Sequence, residues 1–225
     1  MTQVESHSIV TEDGYCLELH RIPSRSGEGK PVLLMHGMMC SSYCWVTSDS
    51  SSLAFVLAEA GYDVWLGNFR GTKYGRSHQT LDPDTDLEFW RFSLHELGVK
   101  DIAAMITSIL RISGRPKMSF IGHSMGTTSF LILSSYRPHM VRSVDLAILM
   151  APVVKPHNMS NFICYVAPLQ RLAKTVMETL GILEILPASL LIEKLTWDHI
   201  GHLCLKLQAR TYNTNQVTVY LNILF

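Results

Sequence analysis

The chain has 225 residues, and 47% of them are hydrophobic, which is enough to bury the core of one globular domain with an inserted subdomain. Its 19 basic residues balance its 19 acidic residues, so charge gives no sign of a nucleic acid partner or of binding to an acidic membrane surface. The longest apolar run, residues 146–154, is far shorter than the roughly 18 residues expected of a transmembrane segment.

Two further features concern the setting of the protein. Residues 1–10 lack the basic flank and apolar stretch of a secretory signal, which predicts either an intracellular protein or a true start that is missing. The five cysteines are an odd number, widely spread, without a C-x-x-C pair or zinc spacing. We therefore expect structural or free thiols and no metal site.

The first predicted elements are two antiparallel strands, residues 7–11 and 15–21, whose separating Asp13-Gly14 pair indicates a hairpin turn. Residues 31–35 form a continuous apolar run, which is typical of a buried parallel strand. Serines 50–52 predict the cap of a helix that runs through Glu59, and residues 62–66 predict the next strand.

The alternation of strands and helices then continues. Ser93 and Glu96 form a predicted capping box for a helix that ends at Gly114. Residues 117–121 read as a strand, 124–136 as a helix and 144–150 as another buried strand. Residues 1–152 therefore predict the N-terminal part of an α/β core, a mostly parallel sheet with helices on both faces, and residues 153–225 a partial helical cap with a truncated tail.

Residues 122–126, GHSMG, carry the predicted chemistry. The pattern G-x-S-x-G between a strand and a helix is the setting of a nucleophile elbow, a tight, strained turn that exposes the Ser124 hydroxyl. Gly122 and Gly126 leave room for strand and helix to approach each other, and His123 completes the turn. The alternative, a surface Gly/Ser turn, would not require an apolar strand before it and an apolar helix after it.

A serine nucleophile also needs hydrogen-bond donors for the oxyanion that develops during acyl transfer. Residues 36–39, HGMM, follow the first long parallel strand, so the backbone N–H of Met38 is predicted to face the N–H of Met125 at the start of the next helix. A simple turn from strand to loop is the alternative interpretation of this segment.

The serine further requires a histidine base and an orienting carboxylate, in the chain order Ser, acid, His. Asp145 opens a strand and is expected at the sheet end opposite the nucleophile turn. Asp198 and His199 are adjacent in a helix-like segment, where neighbouring side chains diverge. We expect that the catalytic acid and base are absent from this chain. The full set of candidates after the serine is Asp145, Asp198, His139, His157, His199 and His202.

Several strings in the right order resemble the acid lipase family, which includes gastric, lysosomal acid and many insect lipases. They are TEDGYCLELHRIP, LLMHGMM, AEAGYDVWLGNFRGTKYGRSH, EFWRFSLHELGVKDI and FIGHSMGTTSF. The resemblance covers roughly residues 4–180 and implies an α/β-hydrolase fold. It also implies Ser124 as nucleophile, the backbone amides of Met38 and Met125 as oxyanion hole, neutral lipid esters such as triacylglycerols and cholesteryl esters as substrates, and no cofactor.

Some positions and segments depart from the family pattern. The best-known relatives carry Gln where this chain has Met125, which a backbone donor tolerates. The resemblance places the catalytic Asp and His beyond Phe225 and implies a secreted or lysosomal protein. Asn158, in the sequon Asn-Met-Ser, is a glycosylation site only in an exported chain.

Two hypotheses follow from the sequence. The first is a lipid esterase whose sequence is a fragment, and the second is a shortened, catalytically silent product that binds lipid or a partner through its cap. Epoxide hydrolases and dehalogenases are disfavoured, because they place Asp where this chain has Ser124. Nothing in the sequence indicates the oligomeric state.

Overall fold

A computed structural model describes residues 4–154 of the chain. Its seven strands are β1 Glu5–Val10, β2 Tyr15–Ile22, β3 Pro31–Met35, β4 Asp63–Leu66, β5 Ser77–His78, β6 Met118–His123 and β7 Val144–Met150. They form one sheet in the order β1-β2-β4-β3-β6-β7, and β5 pairs with β2 beside this path. Strands β4, β3, β6 and β7 are mutually parallel, whereas β1, β2 and β5 join by antiparallel pairing.

Helices cross between the parallel strands. They are α1 Leu53–Glu59, α2 Leu94–Glu96, α3 Ala103–Ser113, α4 Met125–Tyr136 and α5 Pro138–Val141, with a π-helical segment Leu97–Ile102 between α2 and α3. Short 3₁₀ turns lie at Ser42–Trp45, Asp49–Ser51, Lys73–Gly75 and Leu87–Trp90. Within the described residues, no helix has the length and apolar character needed to cross a membrane.

The core lies on both faces of the sheet, because every residue of β3 and β4 is buried. Alternate side chains point to opposite faces, so Leu33 and Met35 join the cluster that packs under α3 and α4. Val32 and Leu34 join the second cluster, together with Ala54 of α1. The predicted α/β architecture with a mostly parallel, doubly covered sheet is confirmed.

The predicted hairpin is also present. The Thr11 N–H donates to the Tyr15 carbonyl over 2.9 Å, and the Gly14 N–H donates to the Thr11 carbonyl over 3.0 Å. Gly14 has φ +93°, a conformation that side-chain-bearing residues rarely adopt. The Asp-Gly signal therefore works through the left-handed backbone that glycine permits, and it sets the register of β1 against β2.

Two predicted helix features differ from the structure. Ser52 occupies the N-cap of α1, but its hydroxyl accepts from the Ser48 N–H over 2.8 Å and makes no capping bond to the helix. The capping box of Ser93 and Glu96 is present, yet the helix widens into the π segment right after α2. A Cβ on Gly98 would lie 2.5 Å from a backbone carbonyl of α4, so the widened turn lies directly against that helix.

Candidate active site

Ser124 lies in the turn between β6 and α4, at the edge of the sheet where all four parallel strands end. Its backbone has φ 49° and ψ −113°, which a residue with a side chain adopts at a cost of about 1–3 kcal/mol. Its N–H donates to the Met150 carbonyl at the end of β7 over 3.0 Å. Its own carbonyl accepts from the Thr127 N–H over 2.9 Å and from the Thr127 hydroxyl over 2.6 Å.

The two glycines beside this turn lie where strand and helix come closest. A Cβ on Gly126 would lie 2.7 Å from the Met35 carbonyl oxygen and 3.0 Å from the His36 carbonyl oxygen. A Cβ on Gly122 would lie 3.0 Å from the Gly126 carbonyl carbon and 3.1 Å from the Thr127 nitrogen. The atoms around Gly126 are backbone atoms that cannot rotate away, so a side chain there would force β3 and α4 apart, whereas the atom nearest to a Cβ on Gly122, 2.8 Å away, belongs to the Phe120 ring.

The loop after β3 lies directly against Ser124. A Cβ placed on Gly37 would be 3.3 Å from the Ser124 Cβ and 3.1 Å from the His123 Nδ1. Met38 follows with 66% of its surface exposed, and Met39 follows with 52% exposed and φ 56°. The structure thus brings the segment of Met38 beside the turn that contains Ser124 and Met125.

Two histidines adjoin the turn in different environments. His123 is half-buried, and burial lowers the pKa of its imidazole. His36 is fully buried, and burial lowers its pKa to about 4, although the bond to the Gly37 carbonyl opposes this shift. Both rings are therefore neutral at pH 7.

The structure places neither of the described acid and base candidates at Ser124. Asp145 lies near the start of β7, where it contacts Lys30 at 2.6 Å and accepts from the Ser119 hydroxyl over 3.3 Å. Its predicted location at the opposite end of the sheet is confirmed, because Ser124 follows the far end of β6. His139 is exposed on α5.

The other candidates for these roles lie outside the described residues. They are Asp198, His157, His199 and His202, and the same is true of the sequon residue Asn158 and of most of the predicted cap. Between residues 4 and 154, no group of three His, Cys, Asp or Glu side chains is arranged to hold a metal ion.

The contacts of His36 were not foreseen from sequence. Its Nδ1 lies 2.8 Å from the Gly37 carbonyl oxygen, and its Nε2 accepts from the Phe69 N–H over 3.3 Å. The Phe69 ring packs against the imidazole edge to face, with 5.1 Å between the ring centroids. The sequence HGMM predicted the loop after β3, but only the fold shows that the His36 side chain is buried.

Comparison with known protein families gives two matches. Residues 30–163 match the family described as alpha/beta hydrolase fold, and residues 2–49 match a partial alpha/beta-hydrolase lipase region. Among solved structures, a laboratory evolved variant of potato epoxide hydrolase superposes with a TM-score of 0.52 at 21% identity, covering 74% of this chain and 46% of that one. At that identity the likeness concerns the fold alone.

Three curated relatives are lipases. Lipase 1 of Drosophila melanogaster is 47% identical over 67% of this chain and 34% of its own length. Human gastric triacylglycerol lipase is 40% identical over 66% of this chain and 39% of its own length. Human lysosomal acid lipase/cholesteryl ester hydrolase is 37% identical over 96% of this chain and 58% of its own length.

The chain thus spans between about a third and three fifths of the length of these relatives. One family match covers more than half of the chain, and a second match, to a lipase region, covers its residues 2–49. The chain belongs to the α/β-hydrolase fold family and, within it, to the acid lipases.

Proposed function

We propose that the protein is a serine hydrolase of neutral lipid esters, with Ser124 as its nucleophile. The observation that carries this proposal is the strained turn at Ser124, with φ 49° and ψ −113°, between a buried parallel strand and a helix. A turn of this kind holds the serine at the sheet edge where the loops of α/β enzymes gather.

The proposed reaction is an acyl transfer in two steps. The Ser124 Oγ attacks the ester carbonyl carbon while its proton passes to a general base, and the resulting tetrahedral oxyanion accepts hydrogen bonds from the N–H groups of Met38 and Met125. Collapse expels the alcohol, which takes the proton from the general base, and leaves an acyl-serine. Water then attacks the acyl carbon, its proton passes through the same base to the Ser124 Oγ, and the carboxylic acid is released. The placement of Gly37 against Ser124 supports this role for the adjacent Met38 amide.

A lipid substrate fits the character of the surface around the turn. Met38, Met39 and Met150 are all exposed large apolar residues, and each belongs to a segment that adjoins Ser124. The names of the relatives include a triacylglycerol lipase and a cholesteryl ester hydrolase, which supports neutral esters of that class. The gastric and lysosomal relatives also support a secreted or lysosomal location.

A fluorophosphonate probe tests the proposal on protein that includes any residues beyond Phe225, where the family resemblance places the catalytic acid and base, because the probe phosphonylates only an activated serine. We expect labelling at Ser124, located by peptide mass spectrometry, and hydrolysis of triolein or cholesteryl oleate emulsions. Ser124→Ala should abolish both. Ser135→Ala removes an exposed hydroxyl from the same helix and should change neither.

Two results would contradict the proposal. Labelling at a serine other than Ser124 would show that another residue is the nucleophile. Wild-type protein that reacts no faster than Ser124→Ala, while it still binds the lipid emulsion, would favour a lipid-binding module without catalysis.

A further inference from the structure

His36 is an ionisable side chain with no exposed surface, at the junction between β3 and the loop that lies against Ser124. Burying an imidazole is costly unless both ring nitrogens find hydrogen-bond partners. Here one nitrogen lies 2.8 Å from the Gly37 carbonyl oxygen and the other 3.3 Å from the Phe69 nitrogen.

These two partners determine which ring nitrogen carries the proton. A carbonyl oxygen only accepts, so the Nδ1 of His36 must donate to Gly37. A backbone N–H only donates, so the Nε2 must accept from Phe69. The ring is therefore neutral and protonated at Nδ1, because a second proton at Nε2 would face the Phe69 N–H donor to donor.

The bond to Gly37 acts on the neighbouring residue as well. The Gly37 carbonyl and the Met38 N–H belong to one planar trans peptide unit and point in opposite directions. Fixing the carbonyl oxygen toward the buried ring therefore fixes the direction of the Met38 N–H on the other side of the plane. Without that bond, a peptide unit that follows a glycine can rotate about two soft dihedral angles.

We propose that His36 is a positioning residue, whose Nδ1–H holds the Gly37–Met38 peptide plane so that the Met38 amide is aimed for oxyanion binding. The effect of His36 on ester hydrolysis rests on the proposed esterase function, whereas the orientation of the Gly37–Met38 peptide plane can be measured without activity. The bond from the Phe69 N–H and the packing of the Phe69 ring hold the imidazole from the β4 side, which stops the ring from turning.

Two substitutions separate this role from simple packing. His36→Asn places an amide nitrogen where Nδ1 was, so it keeps a donor for the Gly37 carbonyl and loses the acceptor for Phe69. His36→Gln places its amide group near the former Nε2, so it keeps an acceptor for the Phe69 N–H and loses the donor for Gly37. A role in packing or in holding Phe69 predicts that Gln is the better substitute. A role in positioning the Met38 amide predicts that Asn is the better substitute.

The first measurement is the second-order rate of Ser124 labelling by the fluorophosphonate probe. We expect His36→Asn to stay within about threefold of wild type. We expect His36→Gln to be slower by about tenfold to a hundredfold, approaching the loss seen when one oxyanion donor is removed. Equal rates for the two variants, or a faster Gln variant, would overturn the proposal.

The second measurement is independent of activity. Long-range ¹H–¹⁵N spectra of wild-type protein should show His36 protonated at Nδ1 only, and ¹⁵N relaxation should show the Met38 amide ordered in wild type and His36→Asn but mobile in His36→Gln. A proton on Nε2 would overturn the proposal even if neither variant folds. An unreactive wild type that shows the expected spectra would refute the esterase function and leave the positioning role standing.

Discussion

Acidification should destabilise this protein through His36 by an amount that the structure allows us to estimate. Burial lowers the pKa of His36 from 6.5 to about 4 in the folded chain. In the unfolded chain the imidazole is in water and titrates near 6.5. Below that pH the unfolded state binds a proton that the folded state does not bind, so the free energy of unfolding falls as pH falls.

The size of the effect follows from linkage. The contribution of His36 is fully present above pH 6.5, has fallen by about 2 kcal/mol at pH 5, and levels off at a total loss of about 3 kcal/mol below pH 4. Only burial and the Gly37 carbonyl act on the group, and no charged neighbour contributes. The ionisable residues on the adjoining segments are His123 at the end of β6, Arg70 after β4 and Asp101 in the π segment.

Urea unfolding at pH 7 and pH 5 tests this estimate on wild type and His36→Asn, followed by both tryptophan fluorescence and circular dichroism. The variant lacks the titrating ring, so its free energy of unfolding should fall less between pH 7 and pH 5 than that of wild type, by about 2 kcal/mol. His139→Asn controls for the loss of a histidine at an exposed position. A difference below about 0.5 kcal/mol between wild type and His36→Asn would refute the reasoning, since 2 kcal/mol is expected from linkage.

Two further substitutions test the packing and the buried charges by urea unfolding at pH 7. Gly126→Ala should lower the free energy of unfolding by about 3 kcal/mol, because its Cβ would lie 2.7 Å from a β3 carbonyl oxygen. Gly114→Ala, at φ +67° with no atom within 4 Å, should cost only about 1 kcal/mol, and equal losses would contradict the steric argument. Asp101→Asn should cost about 2 kcal/mol, because it removes one of the two carboxylates that pair with the buried Arg70 guanidinium, while Asp13 stays 2.7 Å away. Glu88→Gln, in an exposed ion pair, should change the free energy of unfolding by less than about 0.5 kcal/mol. Similar losses from Asp101→Asn and Glu88→Gln would show that burial does not determine how much these ion pairs contribute.

The sequence was sufficient to predict the features that depend on local patterning. Continuous apolar runs predicted the parallel strands, and Asp13-Gly14 predicted the hairpin, because both signals act within a few residues. The turn at Ser124 could be located for the same reason, since its glycines flank the serine directly in the chain.

The features that escaped prediction depend on distant partners. The π segment lies against α4 through Gly98, and residues 97–102 carry an ordinary helical pattern that gives no sign of this contact. The inward turn of His36 depends on the Phe69 N–H, 33 residues away in the chain. A histidine at the end of a strand is equally compatible with a surface location until the fold supplies its partners.

The geometry around Ser124 depends on three segments of the chain, which are residues 35–37, residues 150–153 and the first turn of α4. The Met150 carbonyl holds the Ser124 N–H, the Met35 and His36 carbonyls limit how closely α4 can approach, and Gly37 lies against the Ser124 Cβ. Thr127 adds a link to the segment after β7, because its hydroxyl accepts from the Val153 N–H over 3.3 Å. These contacts act together to offset the local conformational cost of the strained turn. Because these contacts are made mostly by the main chain, the side chain of Met125 is not needed to hold the turn, and the proposed oxyanion role of this residue requires only its backbone amide.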